Sequence, residues 1–108
     1  MSDRIIELAS IKLAEGKTEH ELIKVSEVFQ EQFLNGQDGF VRRDLVRKED
    51  GTYMDIILWE SRAHADAIFE KAQKSEAVGQ YFSLMDFDPE NMNEGVEHCG
   101  LLKSFSAG

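Results

Sequence analysis

One cysteine, one proline, a deficit of positive charge and no long apolar run are the first constraints on this 108-residue chain. A lone Cys99 can form no intramolecular disulfide, which fits a reducing compartment and predicts a cytoplasmic protein. The opening, MSDRIIELAS, has neither the basic start nor the apolar stretch of a signal peptide. No segment approaches the roughly 20 apolar residues that a membrane helix needs. Lysine and arginine number 12 against 21 aspartates and glutamates, a net charge of -9. So acidic a chain repels phosphate backbones and anionic lipid, which argues against nucleic-acid and membrane partners. Repeats, a Gly-rich phosphate loop, a GxSxG elbow and a CxxC pair are all missing.

What is present is a core. The apolar share is 42% and the length predicts a single domain over residues 1–108. A domain of this size buries a modest share of its surface, and pairing is a common remedy. Residues 4–14 read as a first strand, with Ile5, Ile6, Leu8, Ile11 and Leu13 as its apolar members. Thr18 with Glu21 forms a capping box that opens a helix. Leu22, Val25, Phe29 and Phe33 recur at helical spacing, and Asn35-Gly36 is the expected end, with glycine taking the left-handed closing conformation.

Residues 40–48 and 53–60 read as two strands joined by a hairpin at Asp50-Gly51. A two-residue turn sets Lys48 opposite Tyr53, Val46 opposite Asp55, Asp44 opposite Ile57 and Arg42 opposite Trp59. Both sides of such a hairpin carry large apolar groups, so both need covering. Two helices cover only one face of a sheet. A partner subunit is the simplest cover for the other.

Ser61 caps a second helix over residues 61–73, and Ser75 recaps a continuation through Val78, Tyr81, Phe82 and Leu84. Residues 86–95 form an acidic loop. Asp86, Asp88, Glu90 and Glu97 fall on calcium-loop positions, but Asn91 replaces the required glycine, Pro89 stiffens the turn and a strand follows. A solvated loop is expected there. Residues 96–105 read as the last strand, with Val96, Cys99, Leu101, Leu102 and Phe105 apolar. The order strand, helix, strand, strand, helix, strand predicts an α+β, ferredoxin-like βαββαβ sandwich with an antiparallel four-stranded sheet.

That order, the strand DIILWES and the Ala-rich helix after it resemble the antibiotic-biosynthesis-monooxygenase-like group of dimeric α/β barrels. The resemblance covers roughly residues 4–105, and Trp59-Glu60-Ser61 is its most specific piece. It implies a homodimer with two sheets packed face to face, and a pocket between sheet and helices in each protomer. The activities it implies are cofactor-independent oxidation of polycyclic phenols, quinol oxidation or oxidative haem breakdown. The haem-degrading branch uses an Asn on the first strand and a Trp and a His on the second helix. Those places fall on Ala9, Ile68 and Val78, which argues against that activity here. The phenol-oxidising branch has an Asn before the strand-end Trp and a Tyr after it, at the places of Asp55 and Ala65.

Asp55 and His98 are the candidate catalytic residues. A mid-strand carboxylate is costly to bury unpaired, so Asp55 either serves as a base or pairs with Arg42 or another basic group. Trp59, Tyr53, Phe82 and His64 are the candidate substrate contacts. Trp59 also reads as a core residue, His98 as half buried on the last strand, and His20 as solvated. Cys99 points away from His98 and reads as a buried structural thiol. The histidines show no metal-ligand spacing, so neither metal nor cofactor is expected. Two functions fit: a cofactor-free oxygenase acting on a quinol- or anthrone-like aromatic, or a non-catalytic, small-molecule-binding or structural homodimer.

Overall fold

A computed structural model describes residues 3–86 and 95–107. The elements are β1 (Ile5–Ile11), α1 (Glu19–Gln32), a 3-10 turn (Leu34–Gly36), β2 (Phe40–Arg47), β3 (Tyr53–Trp59), α2 (Arg62–Ala72), α3 (Glu76–Ser83) and β4 (Val96–Gly100). All neighbouring strands pair antiparallel, in the spatial order β2-β3-β1-β4. This is the α+β, ferredoxin-like arrangement that the sequence predicts. The acidic loop centred on Asp88, Pro89, Glu90 and Asn91 lies outside the described residues.

The helix caps form as expected. Thr18, Ser61 and Ser75 accept the amides of Glu21, His64 and Val78. The capping box closes differently: the Glu21 carboxylate accepts from the Thr18 hydroxyl at 3.2 Å. Helix α1 also ends earlier than expected. It stops at Gln32 and tightens into the 3-10 turn, which buries Leu34. The left-handed glycine is Gly39, with φ 79°, and not Gly36.

The hairpin departs from its expected register. Lys48 N–H donates to Thr52 at 2.8 Å and Gly51 N–H donates to Lys48 at 3.1 Å, so the loop has three residues rather than two. Gly51, at φ 89°, takes the left-handed place that this loop requires. One extra loop residue slips the pairing by one and turns the β2 side chains from Arg42 to Arg47 to the other face. Arg47 lies opposite Tyr53, Leu45 opposite Asp55 and Arg43 opposite Ile57. Arg43 therefore faces inward, whereas Arg42 faces outward and pairs with Asp44 at 3.2 Å. A bulge at Val41 restores the phase, so Phe40, and not Arg42, lies opposite Trp59.

Two ends are shorter than expected. Strand β1 stops at Ile11, after which Leu13 makes an isolated bridge with Met85. Strand β4 stops at Gly100, and Leu102 and Phe105 stand in solvent at 96% and 84% exposure. Cys99 is exposed on the outer face opposite Ile6, not buried.

The core sits between sheet and helices. Trp59, Leu22 and Leu34 are its most deeply buried large side chains, with Phe29, Phe33, Ile57, Ala65, Val78 and Tyr81 around them. Along β3, Asp55, Ile57 and Trp59 are buried while Met54, Ile56 and Leu58 are only half-buried. The second set shares its face with Ile6 and Leu8 of β1. An apolar band thus runs down the middle of the less covered face.

Candidate active site

Two polar groups are set into the inner face. The first is centred on Arg43, which the register slip turns inward. Its Nη1 donates to Asp55 Oδ1 at 2.9 Å and to the Tyr81 hydroxyl at 3.3 Å. Its Nη2 donates to the Ser26 hydroxyl and carbonyl at 2.6 and 3.0 Å, and its Nε to Gln30 Oε1 at 3.0 Å. The guanidinium lies over the Phe29 and Tyr81 rings, which neighbour each other. Tyr81 in turn donates to Asp55 Oδ2 at 2.8 Å. Burial pushes the Asp55 carboxyl up from its usual range, against the pull of Arg43 and Tyr81. Burial, then the Asp55 charge, pushes the Tyr81 hydroxyl far up, so it remains a donor. Both Asp55 oxygens and all three Arg43 nitrogens are engaged. The cluster ties α1, β2, β3 and α3 together.

The second group is a pair. Glu7 of β1 lies in direct register with His98 of β4, and Glu7 Oε1 is 3.1 Å from His98 Nε2. The side chains are only 15% and 20% exposed. Burial is the largest influence on Glu7 and holds its carboxyl above the usual 4.5, against the opposing pull of His98. The structure thus brings His98 to Glu7 rather than to Asp55, which sits opposite Ala9.

Trp59 completes this end of the face. It lies opposite Ile5, two residues before Glu7 on β1, which makes Trp59 and Glu7 diagonal neighbours. Its ring meets Phe40 edge-on at 5.8 Å. Its indole Nε1 is buried and has no hydrogen-bond partner among the described residues. An unpaired buried donor costs about 1–3 kcal/mol, so a polar atom placed against it would be held well.

The other expected contacts lie elsewhere. Tyr53 is at the far end of β3, about 20 Å from Trp59 at strand rise. It donates to Glu19 at 3.1 Å. The His64 ring packs against Gly39, and its Nδ1 is 2.8 Å from the Ser61 hydroxyl. Phe82 is partly exposed on α3. An open groove of about 480 Å³ runs between α1 and the β2 edge, lined by Ile23, Gln30, Phe40, Arg43 and Leu45 among others. Strand β4 with His98 is at the opposite edge of the sheet. Among the described residues no three His, Cys, Asp or Glu side chains gather as metal ligands.

Sequence reasoning missed Glu7 and Tyr81. Glu7 does leave a trace: Ile5, Glu7, Ala9 and Ile11 share one face of a strand, so a carboxylate interrupts an otherwise apolar row.

No protein-family model matches the chain, and no curated protein matches it in sequence. Solved structures do match. SnoaB, a cofactor-independent oxygenase from Streptomyces nogalater, is 18% identical over 97% of both chains, with a TM-score of 0.61. A protein from Caulobacter crescentus CB15, described as a presumed antibiotic biosynthesis monooxygenase, is 18% identical over 94% of this chain and 92% of its own, with a TM-score of 0.67. The chain has the antibiotic-biosynthesis-monooxygenase fold. A hydroxynitrile lyase from Passiflora edulis shares that fold at 10% identity, over 98% of this chain and all of its own, with a TM-score of 0.66. One fold thus carries unlike reactions, and the choice among them rests on side chains.

Proposed function

We propose that the protein is a cofactor-independent monooxygenase acting on an electron-rich aromatic of the quinol or anthrone type, and that it works as a homodimer. The observation that carries this reading is the Glu7–His98 pair, a shielded imidazole held by a carboxylate on the same sheet face as Trp59, which is a diagonal register neighbour of Glu7. His98 takes a proton from the substrate. Trp59 Nε1 donates to the oxygen on which negative charge gathers. The carbanion passes one electron to molecular oxygen, and the resulting radical pair joins as a peroxide anion of the substrate. Return of the proton and loss of water leave a carbonyl, so that in an anthrone CH2 and O2 become C=O and H2O. Asp55 serves this site from a distance, by holding the sheet and helices in place.

The homodimer rests on the outer face. Ile6, Leu8, Met54, Ile56 and Leu58 form a half-buried apolar band, with Arg42 and Asp44 on one side and Glu97 on the other. Such a face is what a second copy, packed sheet to sheet, would cover. The exposed Cys99 thiol fits a reducing compartment such as the cytoplasm.

The test is oxygen uptake by the full-length protein with an anthrone or a naphthohydroquinone, in the presence of a chelator. Uptake that falls about 100-fold or more in His98→Gln supports the reading, since a general base contributes roughly that much. No uptake with either substrate class overturns it. A second reading, a non-catalytic binding or structural homodimer, is favoured by the saturation of Asp55 and Arg43, which leaves the larger polar cluster with nothing to offer a substrate.

A further inference from the structure

The two ring nitrogens of His98 are not equivalent. Nε2 faces Glu7 Oε1 at 3.1 Å. An ionised carboxylate only accepts hydrogen bonds, so the nitrogen facing it carries the hydrogen. The neutral ring then offers its lone pair at Nδ1. Glu7 is well placed to impose this. It lies on β1, an inner strand paired on both sides, while His98 lies on the edge strand β4. Strand β1 brings Glu7 into register with His98 on one side and Ile57 on the other. The ring is thus held from the rigid side of the pair.

We infer that Glu7 is the positioning residue of the site: it occupies Nε2 of His98 and leaves Nδ1 as the atom that accepts the substrate proton. This rests on the monooxygenase reading for its chemistry, but not for its geometry. The ionisable groups bearing on Glu7 are His98 from β4, Asp55 from β3 and Arg62 from α2. Glu97, the next residue on β4, points to the outer face. The reverse arrangement, in which a protonated Glu7 donates to Nε2 and the ring hydrogen sits on Nδ1, is the alternative to be tested. It would leave His98 with no free lone pair and no means of acting as a base.

Two experiments decide it. In the 15N-labelled full-length protein at pH 8, the His98 ring should show its hydrogen on Nε2, protected from exchange in wild type and unprotected in Glu7→Ala. A hydrogen on Nδ1 in wild type overturns the assignment. The second is a kinetic cycle. Glu7→Ala should lower kcat about 10- to 100-fold with KM within about twofold, as expected when the partner that orients a catalytic group is removed. The double variant Glu7→Ala/His98→Gln should be no slower than His98→Gln alone, because Glu7 acts only through His98. Additive losses, or an unchanged kcat in Glu7→Ala, overturn it. Glu7→Met, which fills similar space and offers no oxygen acceptor, replaces the alanine variant if that one does not fold. If no oxygen uptake occurs at all, the monooxygenase reading fails and the ring assignment stands or falls on the nitrogen spectra.

Discussion

Arg43 and Asp55 form an ion pair of 2.9 Å with side chains only 6% and 5% exposed. Two charges taken out of water cost several kcal/mol each, and only close pairing with further donors offsets that. Here Tyr81, Ser26 and Gln30 supply the further bonds. Removing one partner should therefore cost more than removing both. Asp55→Ala is expected to lose about 3–5 kcal/mol in urea unfolding, and Arg43→Met/Asp55→Leu clearly less than the sum of its single changes. Additive losses would show that the two side chains do not act as a unit.

Gly39 is required for two separate reasons. Its φ of 79° suits glycine, and an added Cβ would run into the His64 ring. Gly39→Ala should cost about 2 kcal/mol or more, of which the backbone conformation accounts for roughly 1–2. Gly39→Ala/His64→Ala should recover only the collision part. Thermal melting of the four proteins checks this, and full recovery in the double variant would remove the backbone contribution.

The position of Glu7 predicts a pH dependence. Its carboxyl is held above the usual 4.5 in the folded protein, chiefly by burial. Between the unfolded and folded values the folded state binds more protons, so stability falls as pH rises through that window. The Glu7→Gln variant lacks this group. Its stability relative to wild type should therefore increase as pH climbs from about 4.5, read from unfolding midpoints in a pH series. A difference that stays flat, or shrinks, would mean that Glu7 is not held in this way.

The outer face predicts a particle of twice 12.3 kDa. Ile56→Arg, which puts a charge in the middle of the apolar band, should give a folded monomer in sedimentation. A monomeric wild-type protein at high concentration would remove the homodimer from the reading.

The fold could be read in the sequence because its signals are local. Ser61 and Ser75 cap the helices they were expected to cap, and the helical spacing of Leu22 and Phe29 marks the buried stripe. Register was harder, because one residue of loop length decided whether Arg42 or Arg43 faced inward. The basic group that meets Asp55 is accordingly Arg43 and not Arg42. The end of β4 is not legible in the sequence, because Leu102 and Phe105 have the composition of a strand and composition does not reveal whether a neighbouring strand reaches them. Glu7 and His98 stand 91 residues apart, so nothing in either one's neighbourhood announces the other. Tyr81 read as one more apolar residue of its helix, and only the approach of α3 to β3 turns its hydroxyl to use.

Oxygen labelling tests the proposed chemistry most directly. With an anthrone under 18O2, the wild-type protein should put one labelled atom into the new carbonyl and the other into water, and His98→Gln should form little product. Product that carries no label, or equal turnover by the two proteins, would contradict a His98-based monooxygenase.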